Sequence, residues 1–228
     1  MKKTIVVLTG AGISAESGIK TFRDADGLWE GHDIMEVASP EGFKKNPKLV
    51  LDFYNQRRQQ LKNVTPNQAH KDLVRLETKY NVSVITQNVD DLHERAGSSN
   101  VLHLHGELRK VRSTKNENDI IWCTENINLG DNCKNGYQLR PHIVWFGEAV
   151  PMIENAIKIC RTADILIIIG TSMQVYPAAS LIDYVQPNIP IYYIDPKPAI
   201  SNSIKVTVIA KSATEGMTEL LSLLEVNS

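Results

Sequence analysis

Residues 4–12 read Thr4-Ile5-Val6-Val7-Leu8-Thr9-Gly10-Ala11-Gly12, a β-branched apolar run that stops at a glycine turn. A short continuous apolar run suits a strand buried on both faces. The glycines after it permit a tight turn and a close approach of backbone to a ligand. When a helix opens from such a turn, its free N–H groups face the same ligand, and a pyrophosphate is the usual occupant. By itself the turn is equally at home as a structural feature of any α/β protein.

The same grammar recurs along the chain. Val82–Thr86, Val101–Leu104, Ile165–Ile169, Ile191–Ile194 and Lys205–Ile209 are further β-branched runs, most of them ending in Gly, Asn or Asp. Helical patterns separate them at Pro47–Lys62, Asn67–Tyr80, Met152–Arg161 and Thr214–Val226. Alternating strands and helices predict an α/β fold with a doubly wound, Rossmann-like parallel sheet, whose ligands lie at the carboxyl ends of the strands. Those ends carry Gly10-Ala11-Gly12, Gln87-Asn88-Val89-Asp90, His105-Gly106, Gly170-Thr171-Ser172 and Asp195, all polar or backbone-exposing groups. Two stretches break the alternation: a loop and helix over 27–62, and a polar, Asn-rich segment over 109–140. We assign these to a small inserted domain, leaving 1–26, 63–108 and 141–228 to a larger nucleotide-binding domain.

Composition narrows the classes of function. With 25 Lys and Arg against 26 Asp and Glu, the chain has no global field to attract nucleic acid or an anionic membrane. The start MKKTIVVLTGAG is read as a buried strand, because its apolar run is too short for a signal peptide. Ile165–Ile169 is far below the span of a bilayer, so no membrane partner is expected. Cys123, Cys133 and Cys160 make no disulfide framework and suit the reducing cytoplasm. After Ser17 no second strand ends in an acidic residue to hold an adenine ribose, which counts against an ordinary nicotinamide dehydrogenase.

Five ordered segments carry a family resemblance: GAGISAESGIKTFRDADGLW from Gly10, TQNVDDLHERAG from Thr86, VLHLHGEL from Val101, RPHIVWFGE from Arg140 and GTSMQVYPAA from Gly170. Together they resemble the signature of the sirtuins, most closely the short bacterial type that includes deacylases acting on acidic acyl groups. The resemblance implies an NAD-consuming deacylase. The acyl-lysine oxygen displaces nicotinamide from NAD, and hydrolysis of the resulting imidate yields lysine, nicotinamide and O-acyl-ADP-ribose. Acylated-lysine proteins or peptides are then the partners, and NAD is the cosubstrate.

By that resemblance His105 is the catalytic base, with Asn88 and Asp90 holding the nicotinamide and its water. Gln87 and His105 bind the ribose hydroxyls. Gly10, Ala11, Gly12, Thr171 and Ser172 contact the phosphates and nearby ribose, and Arg23 lies on the loop that covers the cofactor. Ser14, Ala15, Thr21, Phe22, Trp29, Val89 and Gly170 complete the cofactor site. Near the adenosine the family commonly has an Asn-containing strand end, where this chain reads Ile194-Asp195-Pro196. Asp195 can still accept from ribose hydroxyls. Val144, Trp145, Phe146, Gly147 and Glu148 are the substrate segment.

An imidazole with an ordinary pKa near 6.5 can take a hydroxyl proton at neutral pH. His103 projects to the same face of its strand as His105 and is read as structural. His70 and His93 are read as structural or surface groups. In Phe53-Tyr54-Asn55-Gln56-Arg57-Arg58, Tyr54 and Arg57 stand three apart and share a helix face. Their YxxR spacing resembles the pair by which desuccinylating and demalonylating sirtuins grip the distal carboxylate of the acyl chain. For an arbitrary helix the plainer reading is a solvated basic face including Arg58 and Lys62.

Sirtuins usually hold a structural zinc with two Cys pairs. Here Arg109-Lys110-Val111-Arg112-Ser113-Thr114 replaces the first pair, so no zinc is expected. The insert is then expected to cohere through Ile120, Trp122 and Leu129, and Cys160 to be a core residue. Two rivals share the cofactor residues: mono-ADP-ribosyl transfer or NAD hydrolysis, and an NAD-sensing protein without turnover.

Overall fold

The computed structural model describes residues 2–20, 28–29 and 31–226, and the side chains of Leu28 and Val226 are not described. Strand β1 (Thr4–Thr9) leads into the short helix α1 (Gly12–Ala15), followed by the small hairpin β2 (Leu28–Trp29) and β3 (His32–Asp33). Helices α2 (Ile34–Val37), α3 (Pro40–Lys45), α4 (Pro47–Gln60) and α5 (Gln68–Leu76) come next. The middle of the chain holds β4 (Asn81–Thr86), α6 (Leu92–Ala96), β5 (Val101–His103), β6 (Gly106–Ser113), β7 (Ile120–Trp122) and β8 (Leu139–Ile143). Helix α7 (Ile153–Cys160), β9 (Ile165–Ile169), a 3-10 helix at Ala178–Tyr184, β10 (Ile191–Ile194), β11 (Val206–Ile209) and α8 (Ala213–Val226) close the fold.

Six strands form one parallel sheet in the order β11-β10-β9-β1-β4-β5. Every strand in it was legible as a β-branched run, and the predicted doubly wound α/β architecture is the one observed. The strand order departs in opposite directions from β1, so the switch point lies where β1 meets β4 and β9. Ile5 and Val7 face α5 and α8 through Leu73, Met217 and Leu220, while Val6 and Leu8 face α7 through Ala156 and Cys160. Side chains sealed like these stabilise by about 1.5–3 kcal/mol each, which is why both faces of β1 read as apolar.

Helix ends follow their capping residues. The Asn46 side chain accepts from the Leu49 N–H ahead of Pro47 in α4, and Asn67 accepts from the Ala69 N–H in α5. Helix α5 stops at Leu76 rather than at the expected Tyr80. Beyond it Glu77, Thr78 and Lys79 bond to the carbonyls three residues back, and the tighter pitch ends the α-helix. The Asn-rich segment, which shows no clear period in sequence, contributes to an antiparallel sheet of order β7-β6-β8. That sheet extends past both ends of 109–140, from Gly106 on one side to Ile143 on the other.

The expected glue of this segment is a correction. Ile120, Trp122 and Leu129 are exposed, and the buried cluster is Leu51, Val111 and Ile127 backed by Phe43, Cys123 and Leu139. The reason lies on α4: Asn55 donates to the Ile127 carbonyl at 2.8 Å and accepts from the Ile127 N–H at 2.9 Å. That pair of bonds sets which residues turn inward. Arg58 bears on the plainer alternative for α4. Rather than joining a solvated basic face, it is buried, donating from Nε to the Leu108 carbonyl at 3.0 Å and from Nη1 to Asn55 Oδ1 at 2.8 Å.

Candidate active site

At the switch point the turn after β1 packs directly on the turn after β9. The Gly12 N–H donates to the Gly170 carbonyl at 2.8 Å. A Cβ on Gly12 would lie 2.5 Å from Gly170 Cα, and Gly170 has φ +62°, so neither position tolerates a larger residue without displacing backbone. Across the same edge Gln87 Nε2 donates to Thr171 Oγ1 at 3.0 Å, joining the ends of β4 and β9. Asp195, buried after β10, accepts from the Lys197 N–H at 2.8 Å. Ile194 is buried beside it and Pro196 is exposed.

Under this edge lies a buried polar set. Ser14 Oγ donates to Asp90 Oδ2 at 3.0 Å, Asn88 Nδ2 donates to Ser14 Oγ at 3.2 Å, and the Leu92 N–H donates to Asp90 Oδ1 at 3.1 Å. Burial raises the Asp90 carboxyl to about 6, although the bonds from Leu92 and Ser14 pull the other way. Ser14 thus links the phosphate-type turn to the strand end that carries Asn88 and Asp90.

Two histidines at the end of β5, His103 closing the strand and His105 in the bend after it, are separated by their bonding. His103 Nδ1 lies 3.0 Å from the Asn88 carbonyl and Nε2 lies 2.7 Å from Glu94 Oε1. Both partners only accept, so both ring nitrogens carry protons and no lone pair remains for a base. Burial opposes this charge, but the bond and field of Glu94 raise the His103 pKa above its ordinary value. His105 differs. Its Nδ1 faces the Gln87 carbonyl at 3.1 Å, which places the proton on Nδ1, and Nε2 keeps its lone pair with no partner among the described residues. Burial lowers its pKa, the Gln87 bond opposing, so the ring is neutral at neutral pH.

His93 and His70 are both buried, which removes the surface reading for each. His93 Nε2 meets Thr9 Oγ1 at 3.0 Å and the two rings stand 4.9 Å apart.

A narrow cavity of about 50 Å³ opens beside Asp90 and Val89, lined also by Ile19, Lys20, Trp29, Leu61, Leu108 and, from α4, Tyr54, Arg57 and Gln60. Tyr54 and Arg57 therefore meet one space, as their spacing predicts. Trp29 packs edge-on against Tyr54 with centroids 6.0 Å apart. Tyr54 is fully buried and takes a hydrogen bond from Trp145 Nε1 at 3.0 Å. A larger open cleft of about 430 Å³, lined by Asp52, Asn55, Gln56, Gln59, Asn126 and Asn128, holds no residue predicted for the site.

The segment 144–148 hangs from the bend between β5 and β6 that bears His105, since the Val144 N–H donates to the His105 carbonyl at 2.9 Å. Phe146 is exposed, its N–H bonded to the Ala38 carbonyl at 2.9 Å, and Gly147 has φ +89°. Glu148 accepts from the Trp145 N–H at 2.8 Å and pairs with Arg140 at 2.6 Å and Arg112 at 3.3 Å. These arginines escaped the sequence reading. Arg140 stands in a motif already singled out, yet only the fold shows that it is buried against a carboxylate.

Ala11, Ala15 and Ser172 accompany the two turns, Ala11 and Ser172 half-buried and Ala15 exposed. Thr21, Phe22 and Arg23 lie outside the described residues. Among the described residues no group of three or more His, Cys, Asp and Glu side chains is arranged to hold a metal. The Cys123 thiol faces the Glu125 carbonyl, Cys133 faces Ser113 Oγ, and Cys160 is buried in the core.

The pattern of the Sir2 family matches residues 10–177. An NAD-dependent protein deacylase of Helicobacter pylori is 62% identical over 220 residues, covering 96% of each chain. A Sir2 homologue solved with NAD superposes with a TM-score of 0.88 at 41% identity, over 99% of this chain and 91% of that one. A Sir2 protein bound to acetylated peptide has a TM-score of 0.79 at 26% identity, over 99% and 94%.

Proposed function

The chain belongs to the Sir2 family and removes acyl groups from proteins in an NAD-dependent reaction; we propose that His105 is the base of that reaction and that acyl chains ending in a carboxylate are preferred. The observation that carries the first part is the Nε2 lone pair of His105, which has no partner among the described residues, beside a His103 whose two nitrogens are both occupied.

NAD supplies the ribose carbon that takes the acyl oxygen and the nicotinamide that leaves. The residues at the strand ends have the donor set such a molecule needs. Gln87, Thr171 and Asp195 offer side chains for hydroxyls, the amide of Asn88 and the carboxyl of Asp90 suit a carboxamide, and the Gly10–Gly12 turn suits phosphate. Thr21, Phe22, Arg23, Ala15, Trp29 and Val89 complete the site in this reading. His105 Nε2 takes a proton from a ribose hydroxyl, and the Gln87 carbonyl steadies the proton that remains on Nδ1. The segment Val144–Glu148, tied to the His105 carbonyl, holds the acyl-lysine strand beside that nitrogen.

The acyl preference is supported by Tyr54 and Arg57 lining one narrow cavity that reaches Asp90 and Val89. A guanidinium and a phenol hydroxyl together suit a carboxylate, since charge-assisted bonds are about twice as strong as neutral ones. We also propose a large domain of 1–26, 63–108 and 141–228 with a small one of 27–62 and 109–140, in a cytoplasmic enzyme. The test of function is nicotinamide release from NAD with one peptide carrying acetyl-, malonyl- or succinyl-lysine. Release with every acyl form, and a higher kcat/KM for the two acidic forms, is expected. Equal or lower values for the acidic forms would remove the preference.

A further inference from the structure

Tyr54 is buried, and its phenol oxygen has one partner among the described residues, the Trp145 indole N–H at 3.0 Å. An indole N–H can only donate, so the Tyr54 oxygen is here an acceptor, and its own proton has no acceptor among the described residues. A buried donor left without a partner is costly, and such groups in native proteins generally have a role. Burial also pushes the Tyr54 pKa well above the usual phenol range, the Trp145 bond only partly opposing, so the hydroxyl keeps its proton.

Trp145 is itself held on several sides. Arg140 lays its guanidinium 3.4 Å from the ring centroid, and Phe43 packs at 5.3 Å. The Trp145 backbone N–H donates to Glu148, which binds Arg140 through both oxygens at 2.6 and 3.1 Å. A cation over the indole face draws on its negative π density and leaves the ring edge, with its N–H, a better donor. Only 2% of Trp145 is exposed, so the ring has little freedom to turn away.

We infer that Trp145 is a positioning residue for acyl selection: its N–H occupies the Tyr54 oxygen, leaving Tyr54 as a donor aimed at an acceptor on the distal end of the acyl chain. The inference rests on the carboxylate reading of the Tyr54 and Arg57 cavity and deepens it. With the indole donating to it, the phenol oxygen is a poorer acceptor for a ligand, so a distal ammonium, which can only donate, is disfavoured where a carboxylate is welcomed.

The experiment measures kcat and KM with acetyl- and succinyl-lysine forms of one peptide for the parent, Tyr54→Phe, Trp145→Phe and the double variant. Trp145→Phe is expected to raise KM for the succinyl form about tenfold with kcat for it changed less than about threefold, so the succinyl-to-acetyl ratio of kcat/KM falls. In the Tyr54→Phe background the same change should leave that ratio unaltered, because the hydroxyl it positions is gone. Equal losses on both substrates, or effects on the ratio that multiply in the double variant, would overturn the inference. If Trp145→Phe does not fold, benzothienylalanine at position 145 keeps the ring shape and removes only the N–H, with the same expected and opposing results. A parent with no succinyl preference would instead sink the carboxylate reading, while a parent preference lost in Tyr54→Phe but kept on loss of the N–H sinks only the role of Trp145.

Discussion

His105 Nδ1 stands 3.1 Å from the Gln87 carbonyl oxygen, and that contact decides which end of the imidazole is basic. Burial lowers the ring's pKa below its ordinary value, with the Gln87 bond opposing. A base must be neutral to act, so kcat/KM should rise with pH along an acidic limb whose midpoint lies below 6.5 and stay level through neutrality. A pH profile with saturating NAD checks this, and a midpoint well above 7 would contradict the neutral ring.

Removing that ring should separate binding from turnover. In His105→Ala we expect NAD to bind within a few-fold of the parent by calorimetry while kcat drops at least ~100-fold, the usual scale for a lost general base. A folded variant with near-normal turnover would end the assignment.

Asp90 sits where charge is expensive, its carboxyl raised to about 6 by burial against the pull of Leu92 and Ser14. A group raised in the folded state contributes stability that is complete below its unfolded pKa and lost as pH climbs through the folded value. Asp90→Asn should therefore be more stable than the parent at pH 8, by up to about 3 kcal/mol on a scale of about 1.4 kcal/mol per pH unit. The gap should shrink as pH falls through 6 and close below about 4, while activity is lost throughout. Urea melts at pH 4, 6 and 8 measure it, and a gap that widens toward acid would show the sign is wrong.

Arg57→Met keeps the length of the stem and removes the charge. The succinyl-to-acetyl ratio of kcat/KM should fall at least ~10-fold, in line with loss of a charged hydrogen bond worth about 1.5–3 kcal/mol. Parallel loss on both substrates would mean that Arg57 supports the fold and not the carboxylate.

Cys123 and Cys133 bond to Glu125 and Ser113, and Leu51, Val111 and Ile127 pack the segment against α4. Purified protein should accordingly carry no stoichiometric zinc and melt at the same temperature in excess chelator. Elemental analysis giving about one zinc per chain would overturn this and require ligands brought together in another way.

The six sheet strands, the glycine turn at Gly10–Gly12 and the polar or backbone-exposing residues that end five of those strands were legible in the sequence, because a buried parallel strand declares itself locally as a β-branched run. Motif order likewise marked His105, Asn88 and Asp90, and the spacing of Tyr54 and Arg57 placed them on one face. Tertiary structure alone decided what depends on partners distant along the chain. His103 and His105 look alike until the Glu94 and Gln87 contacts fix their protons. Arg58 reads as a surface cation until the Leu108 carbonyl takes it inside. Ile120 and Trp122 read as core residues until Asn55, clasping Ile127, turns a different set inward. The Tyr54 oxygen reads as that of any phenol until Trp145, 91 positions away, donates to it. Periodicity reports which residues a segment buries; the direction of a hydrogen bond and the state of a proton are set by whatever the fold brings alongside.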